Sequence, residues 1–414
     1  SASSVRSLLS SWLSSNLAGA VLIGDVIEAW YEMDNPSPWG HEEFPIDYYY
    51  MDLDGNWGDS DTDGKFDSHT GSTDPEIWVG RMRPSVLGNE VADLKNYFVK
   101  NHDYKSGNLS LNHRSLVYID DDWIPWANSW NSSVARVYSN GTLVSDGATT
   151  ISTDYENRLT QNYEWVQLAA HSSPTNHVFK IGSQYTGGHT TQSEIRSIDP
   201  DSFFYNLFCC SGCRYISTNN IGTQYVFAQT HGLMAVGSTK TGSMLNFDQF
   251  YQPLANDDNI GDAFVNWMKT WAENDPKWFY GMCILGDPTL TPVHDITVME
   301  PEVESPSHPD PSKLYSDNDP VFNWSGPEDL SGIAGYYYDI NGDPLSDPDP
   351  KSSAFTSNLT MNFTDIPDGP YYFHIRAVDN ASNVGETVHL KIGIDTTPPR
   401  GSVIIDDDMR ITGD

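Results

Sequence analysis

The sequence predicts an α/β domain built on a mostly parallel sheet covered by helices, followed by an all-β antiparallel sandwich. Three observations carry this expectation. Short apolar runs alternate with helical stretches up to Val293. An acidic, proline-rich segment without periodicity, "EPEVESPSHPDPSK", then interrupts the chain. Beyond it, short alternating strands are separated by turn residues such as "NGD" and "PDG".

A chain of 414 residues exceeds the roughly 250–300 at which a single core stops growing, so at least two domains are expected. The spans read as residues 1–293 for the α/β domain and 294–312 for the linker. Residues 313–397 form the sandwich, of immunoglobulin or fibronectin type, and 398–414 read as the start of a further module or a tail. Strand candidates in the first domain are "AVLIGDV", "IWVGRM", "SLVYIDDDW", "WVQLAAH", "FFYNLFCC" and "GLMAVGST". In the second they are "PVFNWSG", "IAGYYYDI", "YYFHIRAVD" and "TVHLKIGID".

The formal charge of −35 excludes nucleic acid as a partner, because a polyanion is repelled by it and no counterion release results. Cationic partners and calcium fit better. No apolar run is long enough to span a bilayer. The amphipathic start "VRSLLSSWLSS" has no leader character, which suggests a processed or truncated chain. Seven Asn-x-Ser/Thr sites, among them Asn108, Asn140, Asn323 and Asn380, suit a secreted or cell-surface protein.

Four cysteines occur, three of them crowded at Cys209, Cys210 and Cys213 with Cys283 apart, so no disulfide framework is expected. A free thiol in an exported protein implies chemistry. Two apolar strands end in reactive residues: "WVQLAAHSS" delivers His171 and "FFYNLFCCSGC" delivers Cys209 and Cys210. An imidazole supplies the base a thiol needs near neutral pH, and amides beyond the strand ends can hold an oxyanion. In open α/β sheets, ligands bind beyond such strand ends. Zinc is the competing use of Cys210 and Cys213, but no second cysteine pair comes after them. His177 is a competing base in a loop position.

The "DLDGNWGDSDTDGKFD" stretch alternates Asp52, Asp54, Asp59, Asp61, Asp63 and Asp67 with glycine and small residues. Crowded hard oxygen ligands on tight turns suit a structural calcium ion. The glutamate that ends an EF-hand loop is missing.

An apolar block ending in His and a small residue, then another ending in Cys, resembles the clan of caspases, legumains and gingipains. The gingipain family matches best, through "VLIGDV", "YYYMDLDGNWGDSDTDG", "PEIWVGRM" and "WFYGMCILGDPTL". The resemblance implies a caspase-like three-layer α/β/α sandwich and a secreted cysteine endopeptidase acting on protein or peptide substrates. The family's register makes Cys210 the nucleophile, while the legumain register, Cys-x-Ser-Gly, selects Cys209. His171 is then the base, and Ser172 stands where the family has the glycine of its oxyanion site.

Gingipains orient the histidine with an acid at an earlier strand end, where this chain offers Asp120, Asp121 and Asp122. Alternation along a strand puts Asp120 and Asp122 on one face. Asp122 is favoured, then Asp121. "AVGSTKTGSMLNFDQFY" resembles a stretch of the lysine-specific members, which implies that Asp248, as a buried carboxylate beside aromatics, selects Lys or Arg before the cleaved bond. A catalytically silent adhesion protein, or a clan-related ligase or self-processing enzyme, is the alternative reading.

Overall fold

The computed structural model describes residues 1–35, 40–271, 276–292, 298–327, 329, 332–380, 383–405 and 409–412; the boundary expected at Val293 lies outside them. The chain divides into two units, Ser1–His294 and Asp295–Asp414.

An eight-stranded sheet organises the first unit. In chain order its strands are β1 Gly19–Ile23, β2 Trp78–Met82, β3 Ser115–Ile119, β4 Gly141–Val144, β5 Trp165–Ala169, β6 Phe204–Phe208, β7 Met234–Ser238 and β8 Met282–Gly286. Side by side they run β1-β2-β8-β7-β6-β5-β3-β4. All six strands expected in this domain form. β4 and β8 are additional to them.

Every residue of β2, β3, β5, β6, β7 and β8 is buried. Helices covering both faces of a parallel sheet produce this burial, and it explains why these strands read as continuous apolar runs. The one antiparallel contact lies between β7 and β8, with Met234 opposite Gly286 and Ser238 opposite Met282. Since β8 is parallel to β2, and β2 to β1, the sheet reverses direction there. The carboxyl ends of β1 and β2 therefore lie at the edge opposite those of β5, β6 and β7.

A buried ion pair braces β2. Arg81 and Asp47 are both essentially inaccessible, and Arg81 reaches the carboxylate through Nη2 at 2.6 Å and Nε at 3.1 Å. The Tyr215 hydroxyl donates to the same carboxylate at 2.9 Å, and its ring lies 4.4 Å from the guanidinium. Two charges are tolerated here because each is hydrogen-bonded by more than one partner.

A small sheet extends the segment after β5. His171–Ser173 pairs antiparallel with Asn176–Val178, which pairs with His189–Thr191. His177, in its central strand, is fully buried between Tyr155 and Tyr225, and neither ring nitrogen has a hydrogen-bond partner among the described residues. Burial lowers its pKa to about 3.

The second unit packs two antiparallel sheets over one apolar core. Glu302–Glu304, Val321–Ser325 and Thr360–Asn362 form the first; Ala354–Thr356, Ile333–Asn341, Gly369–Asp379 and Val388–Ile394 form the other. Phe322 and Phe373 stack at 4.2 Å between them, beside Trp324, Ile375 and Ile392. All four expected strands form. Ser402–Ile405 and Met409–Thr412 pair as a hairpin in the segment read as a further module or tail.

The buried His177 makes stability pH-dependent in a defined direction. Below about pH 6.5 the unfolded chain takes a proton that the folded state refuses until about pH 3. This group's contribution is therefore intact above pH 6.5 and falls by about 1.4 kcal/mol per unit as the pH drops. Chemical denaturation at pH 6 and pH 4 should show a slope smaller by that amount in His177→Phe. Equal slopes would contradict the assignment.

Candidate active site

β5 and β6 are adjacent and parallel, with Ala169 opposite Phe208. The Ala170 amide still reaches the Phe208 carbonyl at 3.2 Å. His171 and Cys210 each lie two residues beyond that last pair, so they leave the sheet at the same level on neighbouring strands.

The chain turns sharply at Cys210. Ser211 adopts a left-handed conformation with φ +58°, and its amide donates to the Lys240 carbonyl at 2.8 Å. The Cys213 amide donates to the Ser238 carbonyl at 2.9 Å, so the turn is tied to the end of β7. Gly212 is required inside it, because a Cβ there would come 2.5 Å from the Cys209 sulfur.

The two adjacent cysteines differ in environment. Cys209 is 2% exposed, and burial pushes its thiol up to about 12. Cys210 is only partly buried; burial raises its thiol as well, with the Gly242 amide opposing the shift. Among the described residues the Cys210 amide has no backbone acceptor. Cys213 and Cys283 are buried, with the Cys283 sulfur 3.7 Å from the Cys213 carbonyl, and all four cysteines are free.

His171 Nε2 lies 2.7 Å from Asp122 Oδ2, which also accepts from Lys180 Nζ at 2.6 Å. Burial alone would raise the Asp122 carboxyl, but Lys180 and His171 hold it below its usual range. The ring is flanked by Trp123 at 4.8 Å and Tyr185 at 5.1 Å.

The other two acids go elsewhere. Asp120 is buried, accepts the Lys180 amide at 3.0 Å, and is raised to about 6 by burial. Asp121 turns against Gly147, where its oxygen occupies the place of a Cβ. The expected strand alternation does not apply, since β3 ends at Ile119 and Asp121–Trp126 forms a 3₁₀ turn. Asp121, the second choice as histidine partner, is corrected on this ground. Lys180 and the two flanking aromatics do not stand out in the sequence, for they come from loops whose folding carries no periodic signal.

His177 is no base for this site, being buried and already depressed well below neutrality. The Ser172 hydroxyl is engaged by the carbonyls of Ser173 and Asn176 at 2.9 and 3.0 Å. Asp248 is not the buried carboxylate expected beside aromatics. It is about half exposed and forms a two-pronged pair with Arg136, at 3.0 and 3.2 Å. Arg136 lies just past the helix Ala127–Val134, whose eight residues span about 12 Å and carry it away from the turn that bears Trp123.

The acids of the Asp52–Asp67 stretch gather in three groups, two of which share Asp61. Asp59, Asp61 and Asp63 bring carboxylate oxygens within 4.8 Å of one another. Asp67 gathers with Asp61 and Glu32, while Asp52 and Asp54 gather with Glu76. Asp52 is buried and already bonded to His69 and to the amides of Asp54 and Gly55. Asp52 and Asp54 thus stand apart from Asp59, Asp61, Asp63 and Asp67. In the first group, Asp59 Oδ1 is buried with no hydrogen-bond partner among the described residues, and the Gly64 amide holds Oδ2 at 2.9 Å. This oxygen-only set fits calcium. Lys65 Nζ meets Asp63 at 2.5 Å and Glu43 at 3.0 Å, so part of the charge is already balanced.

The chain shares its fold with solved cysteine proteinases. The Arg specific cysteine proteinase gingipain R, RGPB, superposes with a TM-score of 0.53 at 12% identity, covering 95% of this chain and 88% of that one. A complex of the Porphyromonas gingivalis RgpB pro- and mature domains gives 0.52 at 12% identity, over 95% and 90%. A further protease structure gives 0.50 at 13%, over 94% and 87%. No curated protein sequence matches. Residues 3–293 match the profile of peptidase family C25. The chain therefore belongs to peptidase family C25, the gingipain family, and is a cysteine endopeptidase.

Proposed function

We propose that Cys210 attacks the scissile carbonyl while His171 takes the thiol proton and later delivers it to the departing amine. The bond formed is a thioester and the bond broken is the peptide C–N; water then releases the acid and restores the thiol. The observation that carries this reading is the shared level at which the two residues leave adjacent strands. Cys210 is favoured over Cys209 by its accessibility.

Asp122 acts as a positioning residue. With Nε2 held by Asp122, Nδ1 is the nitrogen left to exchange a proton with the thiol. Burial disfavours the Cys210 thiolate, so this reading couples the proton transfer to His171 with the attack. The oxyanion is assigned to the amides of Cys210 and Ser172, of which the first has no competing backbone acceptor among the described residues.

Substrates are proteins or peptides. A preference for Lys or Arg beside the cleaved bond draws support from the net charge of −35 and from Glu42. Glu42 is held by the Thr241 amide at 3.0 Å and hydroxyl at 3.1 Å and by Asn35 at 2.7 Å, and Lys240 Nζ lies 3.9 Å from it, so part of its charge is balanced. Asp248, committed to Arg136, does not support it. A structural calcium ion is assigned to Asp59, Asp61 and Asp63, where it would relieve carboxylate repulsion. Work outside the cell fits the seven glycosylation sequons, and no helix among the described residues is long and apolar enough to cross a membrane.

Three outcomes are expected. Cys210→Ala should lower kcat on a lysyl or arginyl peptide at least about a thousandfold. Cys209→Ala should mainly cost stability, about 1 kcal/mol; the reverse pattern would move the nucleophile to Cys209. Asp248→Ala should change the ratio of kcat/KM between basic and neutral peptides less than about threefold, as for a solvent-exposed pair. A loss of that ratio by about tenfold would return Asp248 to the substrate site. Chelation should lower the melting temperature by several degrees, and Asp61→Asn should abolish that calcium dependence; an unchanged melting curve would rule out the ion.

A further inference from the structure

An exposed aromatic surface adjoins the candidate catalytic histidine. Trp126 is 52% exposed and Tyr185 58%, although both are large apolar side chains. Tyr185 meets the His171 ring edge-on at 5.1 Å, and Trp123 packs on it at 4.8 Å. Ile181, 42% exposed, belongs to the same loop as Tyr185. Isolated exposed apolar residues are common on proteins, but here Tyr185 meets His171 directly, and Trp126 lies one 3₁₀ turn beyond Trp123, which packs on the same ring.

The support beneath them is rigid. Trp126 stacks on the buried Trp130, with ring centroids 6.3 Å apart and planes at 16°. Trp130 in turn packs on Phe208, the last residue of β6, at 4.9 Å. The aromatic surface is thus anchored to the strand that carries Cys210. On the other side, Lys180 binds Asp122 and lies 5.0 Å from the Tyr185 ring, so one side chain fixes both the histidine's partner and the tyrosine. A surface held this firmly yet left uncovered is suited to a rigid apolar group that arrives with the substrate.

We propose that Trp126, Tyr185 and Trp123 form a subsite for a large aromatic side chain of the substrate, within two residues of the scissile bond. This rests on the reading of Cys210 and His171 as the reacting pair. Continuity with that pair identifies the occupant: the only chain that must lie against His171 during turnover is the peptide being cut. Stacking on Trp126 and edge contact with Tyr185 suit an aromatic ring better than an aliphatic one. The subsite is separate from the charge recognition that favours Lys or Arg. It selects a second residue of the same substrate.

The test uses peptides with a fixed Lys or Arg before the cleaved bond, differing only by Phe, Trp or Ala at each flanking position. The full chain should cleave an aromatic peptide about tenfold faster in kcat/KM than its alanine counterpart at one of these positions. Trp126→Ala should bring that ratio within about twofold of unity, while Trp126→Phe should retain most of it. Equal rates for aromatic and alanine peptides, or a preference that survives both Trp126→Ala and Tyr185→Ala, would overturn the subsite. If a folded chain cleaves no peptide at all, the failure belongs to the reading of Cys210 and His171, and the subsite falls with it.

Discussion

The pairing of Ala169 with Phe208 is the constraint on which the site depends. Two parallel strands are joined by helical crossovers and cannot slide without disrupting the ladder and exposing buried side chains. A one-residue slip would turn every side chain of β5 or β6 to the opposite face. Because both strands are fully buried, that slip is strongly disfavoured. The relative height of His171 and Cys210 is therefore set by the core, far more firmly than any loop contact could set it.

The segments that leave these strands are held by different parts of the first unit. The turn after Cys210 leans on the end of β7 through Ser211 and Cys213, and further along on the Arg81–Asp47 pair through Tyr215. The segment after β5 is shaped by a small three-stranded sheet with an unpartnered buried histidine at its centre. Asp122 arrives from β3, where a 3₁₀ turn replaces the strand and sends three successive carboxylates in three directions. One is buried against the Lys180 amide, one lies under Gly147, and one meets His171. Neighbouring residues in sequence thus have unrelated roles.

The strands of this fold are legible because residues such as "SLVYI" and "FYNLF" are apolar on both faces, which only a covered sheet permits. The reversal at β8 is not legible, since "MCILG" reads the same in either direction. β4, the short "GTLV", sits at the sheet edge and carries too few apolar residues to stand out. Within the site, His171, Cys210 and Asp122 are visible as strand-end residues. Asp248 reads as buried because its neighbours in sequence are aromatic, whereas its partner, Arg136, is 112 residues away. The acidic loop is recognisable as a whole, but hairpin pairing, with Trp57 opposite His69, divides its acids in a way composition does not record.

Catalysis by this chain turns on which of two adjacent thiols reacts. Treating the full chain with a lysyl or arginyl peptide bearing a thiol-directed electrophile, then mapping the adduct by mass spectrometry, addresses this directly. A single adduct on Cys210 is predicted, absent from Cys210→Ala and strongly reduced in His171→Ala. An adduct on Cys209, or labelling indifferent to loss of His171, would refute the assignment of the reacting pair.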